Sequence, residues 1–363
     1  MSGGGWHPAI WRASPAAQQP VYADADALGA AEEKLANSPP LVTFEAMDAL
    51  RLRLAEAAAG RALLLQGGDC AETFAEADVA CLAGLFERLA ALLPLPAVRV
   101  ARIAGQYAKP RTIEGRVWRG ESVNSRDALE PDPARMVRAY EHAAATARRL
   151  PAGLYASHEA LLLPYEQALV RRAEDGRWWS GSGHMLWLGE RTRQPEGAHV
   201  AFAAGLSNPL GVKLGKISAD ELLLLADRLD PAREPGRLTL IVRMGAQIDT
   251  ALPPLMRALR QEGRQPLWVS DPLHGNTGRG GARKLRRLGD AVREVEAFTA
   301  IARSEGVHPG GLHLEMTPEN VAEVTGGLEG EGWTSACDPR LNPRQAQAVA
   351  AAFAAALGQR DAA

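Results

Sequence analysis

The chain is short of cysteine, of aromatic residues and of net charge, and each shortage closes off a class of function. Three cysteines in 363 residues, Cys70, Cys81 and Cys337, are too few and of the wrong parity for a disulfide scaffold. They point to a reducing compartment, in which a special cysteine is a ligand or a nucleophile. Lys and Arg number 41 against 43 Asp and Glu, a formal charge of −2, so no global field favours nucleic acid or an anionic membrane as partner. Aromatic residues make up 5% of the chain, although eight of them are Trp, large packing units. No apolar run approaches the ~18 residues of a membrane helix. The N-terminal string MSGGGWHPAIWRASPAAQQPVY has neither the charged region, the apolar core nor the cleavage site of a secretory signal, so the cytoplasm is the expected location. The glycine-containing strings GGDC, GQY and GGLH match neither nucleotide-binding signature, which removes kinase and nicotinamide chemistry.

What is present is a globular composition, 46% hydrophobic and 23% charged. Residues 1–58 read as a polar, proline-containing arm followed by helices near 26–35 and 44–59. Residues 59–363 read as one catalytic domain. Within it, short β-prone runs recur at 62–66, 98–103, 185–189, 211–214, 238–243, 267–270, 311–315 and 334–337. Amphipathic helical stretches such as 219–229 and 290–304 lie between them. Strands alternating with helices imply right-handed βαβ units and a parallel sheet, and eight units favour a closed (β/α)8 TIM barrel over an open sheet. The long connection between the second and third runs, with helices near 132–150 and 157–174, reads as an insertion on the barrel.

Chemistry in such a barrel sits at the C-terminal ends of the strands. Two sets of residues fall there. Arg102, Lys109, Arg111, Arg191, Lys213 and Arg243 are cationic, and like charges gather where an anion neutralises them. The plainer alternative is that several pair with acids at the rim. Cys70, His274, Glu315 and Asp338 follow four different strands, and a thiolate, an imidazole and two carboxylates suit a borderline divalent metal better than magnesium or calcium. Each also has a structural alternative: Cys70 as a small buried hydrophobe, His274 as a capped loop residue, the two acids as partners of the cations. His313 shares a strand face with Glu315 and is expected as a neighbour, not a ligand. Cys81 falls in a helical stretch and is expected to pack.

These blocks resemble the type II 3-deoxy-D-arabino-heptulosonate 7-phosphate (DAHP) synthases. The matching strings run in order from residue 10 to about 343 and include LLLQGGDCAETF, RIAGQYAKPR, WLGERTRQPEGAHVAF, NPLGVKLG, SDPLHGNT, HPGGLHLEMTPENV and TSACDPRLN. The resemblance implies a (β/α)8 barrel and a condensation of phosphoenolpyruvate with D-erythrose 4-phosphate and water. It implies one divalent metal, Mn2+ or Co2+ with Zn2+ or Fe2+ as alternatives, on Cys70, His274, Glu315 and Asp338. Phosphoenolpyruvate contacts carry over to Arg102, Glu190, Arg191, Lys213 and Arg243, with Lys109 beside them, and the sugar phosphate to Arg111 and Thr112. Lys109, Glu190 and Asp338 are the candidates for catalytic proton handling. A homo-oligomer, a dimer by preference, is expected, with no nucleic-acid or membrane partner.

Two departures from the family pattern stand out. The stretch 150–155 joins two family blocks directly, where long members carry an extra helical pair, so aromatic amino-acid feedback is not expected. Short members resemble enzymes that feed secondary metabolites such as phenazines. Glu121 stands where the pattern has Asp. An amino or imino analogue of erythrose 4-phosphate is the alternative acceptor, and a silent regulatory homologue the alternative of another class. If the four ligands converge, Cys70 and Cys337, the latter adjoining Asp338, come within disulfide range when metal is absent.

Overall fold

A computed structural model describes residues 5–113, 116–280 and 283–359. Eight parallel strands close into a barrel: β1 (Leu63–Gly68), β2 (Ala97–Arg102), β3 (Leu154–Glu159), β4 (Met185–Leu188), β5 (Leu210–Leu214), β6 (Leu238–Val242), β7 (Leu267–Ser270) and β8 (Pro309–Glu315). Neighbours are consecutive in the chain, and β1 closes the ring against β8 through Leu64↔Gly311, Gln66↔His313 and Gly68↔Glu315. The expected TIM barrel is the fold observed.

One of the eight strands is not among those the sequence marks, and one marked run is not a strand. The third is Leu154–Glu159, which reads as the start of a helix because Ser157, His158 and Glu159 interrupt its apolar pattern. Ser157 is fully buried: its Oγ donates to Ala101 O (2.9 Å) and accepts from Gln66 Nε2 (3.0 Å). Conversely, 334–337 is loop. A strand needs a ladder partner, and the N–H groups of Thr334 and Ser335 donate instead to Glu323 Oε1, at 3.0 and 2.8 Å. The long connection thus contains a barrel strand. What projects from it are the short helix Leu163–Ala168 and the hairpin pairing Val170–Arg172 with Trp178–Ser180.

Alternation decides which residues face inward. On β1, Leu63 and Leu65 pack outward on the helical shell while Leu64 turns into the barrel. Val98, Val100, Met185, Trp187, Ile241, Leu267 and Val269 join Leu64 there. The helix Phe44–Ala58, capped by Thr43 Oγ1 accepting from Ala46 N (3.2 Å), inserts Leu50, Leu54 and Ala57 into the same cluster. Each such leucine contributes about 1.5–3 kcal/mol of burial. The N-terminal end is therefore sealed by apolar side chains, and inward-facing polar residues collect at the opposite end.

Residues 5–20 strap the outside. Trp6 Nε1 donates to Ala201 O (2.9 Å), and its ring occupies the space a Cβ on Gly205 would need. Gln19 Nε2 donates to Leu161 O (2.7 Å) while its Oε1 accepts from Leu163 N (3.0 Å). Among the described residues no helix is long and apolar enough to cross a membrane.

Candidate active site

On β2, β3, β5, β6, β7 and β8 the last inward-facing residue, or the first after the strand, carries charge: Arg102, Glu159, Lys213, Arg243, Asp271 and Glu315. At this mouth lies a cavity of about 360 Å³. Arg102, Lys109, Arg191, Lys213, Arg243, Lys284 and Arg286 line it, against Glu159, Glu190 and Asp338. Five of the six cations expected to converge do so. Arg111 and Thr112 begin a short strand (Arg111–Ile113), but their side chains lie outside the described residues. The Nε atoms of Arg102 and Arg243 are buried without a hydrogen-bond partner among the described residues, donors that an anion in the cavity would satisfy. Under the barrel's other end a hollow of about 440 Å³ has charges that pair among themselves, such as Arg61 with Glu56 (2.5 Å).

Glu315, fully buried, is the hub. Its Oε1 lies 2.9 Å from Arg102 Nη2, 3.1 Å from His274 Nε2 and 3.8 Å from Lys109 Nζ; its Oε2 lies 2.5 Å from Arg286 Nη1. Burial alone would raise its pKa, but His274, Arg286 and Arg102 hold the carboxyl well below the usual carboxylate range. His274 Nδ1 lies 2.7 Å from Asp271 Oδ2, which leaves Nε2 on the cavity side. Asp271 Oδ1 also accepts from His274 N (3.2 Å), so one aspartate shapes the turn and orients the ring. Burial pushes the His274 imidazole below its ordinary value, against the upward pull of Asp271 and Glu315.

One ligand atom each from His274, Glu315 and Asp338 lie within 4.8 Å of one another. An imidazole and two buried carboxylates at this spacing fit a divalent cation. Cys70, the fourth expected ligand, adjoins them, since Asp338 N donates to its Sγ (3.3 Å). That sulfur, however, is joined to Cys337, with the two Cα atoms 6.5 Å apart. Three cysteines build no scaffold, and the pair found joined is the one the sequence places within disulfide range when metal is absent.

His313 stands apart from the cluster, and its hydrogen bonds fix its tautomer. Gln66 Nε2 donates to Ser157, so Gln66 Oε1 accepts from His313 Nδ1 (2.7 Å), and His313 Nε2 accepts from Arg102 Nη1 (3.1 Å). Burial, with Lys213 and Arg102 nearby, keeps the ring neutral. Glu190 is heavily engaged, accepting from Gly215 N (2.7 Å), Lys216 N (3.1 Å) and Arg193 Nη2 (2.8 Å). Glu121, the departure from the family pattern, pairs with Arg135.

Several residues here carried no sequence signal. Lys284 Nζ lies 2.5 Å from Asp338 Oδ1, and Arg286 reaches Glu315; Lys284 sits on the second arm of a hairpin (Arg283–Leu285) and Arg286 just after it, not at the end of a barrel strand. Three further glutamates clamp the loops of the mouth. Glu72 accepts from Ala104, Gly105 and Gln106 N (3.0, 2.8 and 2.7 Å), Glu323 from Thr334, Ser335 and Arg340 N, and Glu294 from Met244 and Gly245 N. Sequence gives them the look of solvated charge, because their partners are backbone groups far away in the chain.

A closed parallel barrel whose C-terminal mouth joins a cation-walled cavity to a three-residue ligand cluster defines a TIM-barrel enzyme acting on small anions. The profile of the class-II DAHP synthetase family matches residues 6–152 and 147–355, and the chain belongs to that family of transferases. The two matches meet at residues 147–152. A phospho-2-dehydro-3-deoxyheptonate aldolase of Streptomyces coelicolor is 39% identical over 440 residues, covering 97% of each chain. That alignment exceeds the 363 residues here, so the relative carries segments with no counterpart in this chain. A probable enzyme of the same name from Pseudomonas fluorescens is 43% identical over 370 residues, covering 91% of this chain and 92% of its own. The Mycolicibacterium smegmatis aldolase is 37% identical, covering 93% and 92%.

Proposed function

We propose that the enzyme condenses phosphoenolpyruvate with D-erythrose 4-phosphate and water to give DAHP and phosphate, the entry reaction of the shikimate pathway. We assign one divalent metal, Mn2+ or Co2+, to His274, Glu315, Asp338 and the reduced thiolate of Cys70. The observation that carries this reading is the junction of the cationic cavity with the His274–Glu315–Asp338 cluster in a member of this family.

Arg102, Arg191, Lys213 and Arg243 take the carboxylate and phosphate of phosphoenolpyruvate and hold its enol carbon against the aldehyde. Arg111 and Thr112 take the sugar phosphate. A divalent ion, when bound, stabilises negative charge on the aldehyde oxygen. Lys109 donates the proton that converts this oxygen to a hydroxyl. Water then adds to the second carbon of phosphoenolpyruvate, and phosphate leaves with carbon–oxygen cleavage. Glu190, already accepting from three groups, holds Arg193 and the 215–216 loop, so Asp338 and Lys109 remain to guide that water. The direct join between Ala147 and Leu154, without a helical pair, supports a role in secondary metabolism free of aromatic amino-acid feedback.

Phosphate release tests the assignment. Reduced protein should turn over with erythrose 4-phosphate, lose activity to a chelator, regain it with Mn2+ or Co2+, and ignore phenylalanine, tyrosine and tryptophan. A strong preference for an aminated acceptor would replace the sugar in this reading, and metal binding without phosphate release would make the protein a silent homologue.

Lys213 gives the reaction a pH dependence. Burial pushes its ammonium down to about 7, in spite of the pairing with Asp271. Anionic substrate favours the charged form, so binding above about pH 7 takes up a proton. The Kd for phosphoenolpyruvate should therefore rise by about tenfold per pH unit above that point. Calorimetry in buffers of different ionisation enthalpy reads both the slope and the proton; a Kd flat from about pH 6 to 9 would remove Lys213 as the cause.

A further inference from the structure

The segments after β6 and β7 touch backbone to backbone. Gly245 adopts φ +59, and a Cβ on it would lie 2.6 Å from Gly275 O. Arg243 Nη2 donates to His274 O (3.1 Å) across the same junction. Beneath it the helix Leu288–Ser304 places Glu294, fully buried. Oε1 of Glu294 accepts from Met244 N (2.8 Å) and Gly245 N (2.9 Å), and Oε2 accepts from Asn276 Nδ2 (2.6 Å). Asn276 Nδ2 also donates to Pro272 O (2.9 Å). One carboxylate thus ties the residue following Arg243 to a residue two positions beyond His274.

We propose that Glu294 is a positioning residue that fixes the phosphoenolpyruvate-holding Arg243 and the metal-holding His274 relative to each other, so that both affinities depend on it. This rests on the proposed function. The carboxylate matters because it accepts on both oxygens: three donors converge on it, and no neutral side chain of the same shape satisfies all three. A glutamine that keeps Met244 and Gly245 on its carbonyl oxygen turns its own amide donors on Asn276. The β6 side then holds while the β7 side, with His274, loses its anchor.

The test uses reduced, metal-free protein and two binding measurements that need no turnover: free Mn2+ by electron paramagnetic resonance, and phosphoenolpyruvate by calorimetry. Glu294→Gln should bind phosphoenolpyruvate within about threefold of wild type but Mn2+ about 10–100-fold more weakly, the range for lost outer-shell partners of a ligand. Asn276→Ala should reproduce the Mn2+ loss alone, and Glu294→Ala should weaken both ligands. If Glu294→Ala fails to fold, the other two variants decide. Wild-type affinities in Glu294→Gln, with or without a lowered melting temperature, would overturn the proposal and leave the function standing. Wild-type protein that binds neither probe would overturn the function itself.

Discussion

Glu315→Gln is expected to lower kcat/KM at least about a thousandfold, the upper range for losing one electrostatic group at a reacting centre. It should also weaken Mn2+ binding beyond detection at micromolar protein. One substitution does this much because the carboxylate answers to four groups at once: His274, Arg102, Arg286 and Lys109 all lie within 3.8 Å of it. Glutamine is nearly isosteric, so packing survives, but it carries no charge and turns an amide N–H₂ toward guanidinium donors. Arg102 and Arg286, each about 1% exposed, then sit buried without their shared counter-ion. Breaking a buried pair in this way costs about 3–5 kcal/mol, so the melting temperature should fall as well. The order of the effects carries the information. Loss of stability with Mn2+ affinity intact would make Glu315 a counter-ion for the arginines and remove it from the ligand set. Full Mn2+ affinity with activity within tenfold of wild type would remove it from both roles.

The parts of this site that could be read from the sequence are those set by strand periodicity. Arg102, Lys213, Arg243 and Glu315 each end or follow a short apolar run, and inward or outward direction there follows from a period of two. Lys284, Arg286, Glu72, Glu294 and Glu323 escape that logic. Their roles are fixed by which distant loop lies opposite, a property of the closed barrel and not of any local pattern. The third strand escaped for a related reason: Ser157 satisfies partners within the barrel and His158 pairs outward with Glu166 (2.8 Å), so Ser157, His158 and Glu159 break the apolar signal that marks the other strands. Counting eight strands was right for the barrel although 334–337 stood in for 154–159, because a loop pinned by Glu323 has the same apolar and small-residue texture as a short strand.

Oxidation should switch the enzyme almost fully off. Cys70 and Cys337 are joined across 267 residues of sequence, and their Cα separation of 6.5 Å falls within the normal span for a disulfide. A sulfur in a disulfide has no thiolate to offer a metal, so pairing with Cys337 and ligation through Cys70 exclude each other. The competition is local: Asp338 follows Cys337 directly, and its N–H already points at the Cys70 sulfur (3.3 Å). Mild oxidant should therefore inactivate metal-free protein by more than about tenfold, with two electrons and two protons passing to the oxidant, and dithiothreitol with Mn2+ should reverse the loss. Mn2+ added beforehand should protect, because it holds Cys70 as thiolate. Thiol titration after denaturation gives an independent count: Cys81 has no partner sulfur, so the oxidised form shows one thiol and the reduced form three. Trp118, buried against Cys70 and Cys337, supplies a fluorescence reporter of the same event. Cys337→Ser separates the two explanations of any redox effect. It keeps the ligand and removes only the partner, so it should stay active and ignore the oxidant. Should Cys337→Ser lose activity to mild oxidant as the wild type does, damage at another residue and not this pair would be the cause. Cys70→Ser should be weak in Mn2+ binding under reducing and oxidising conditions alike, since the hydroxyl that replaces the thiolate is a poor ligand for a borderline cation.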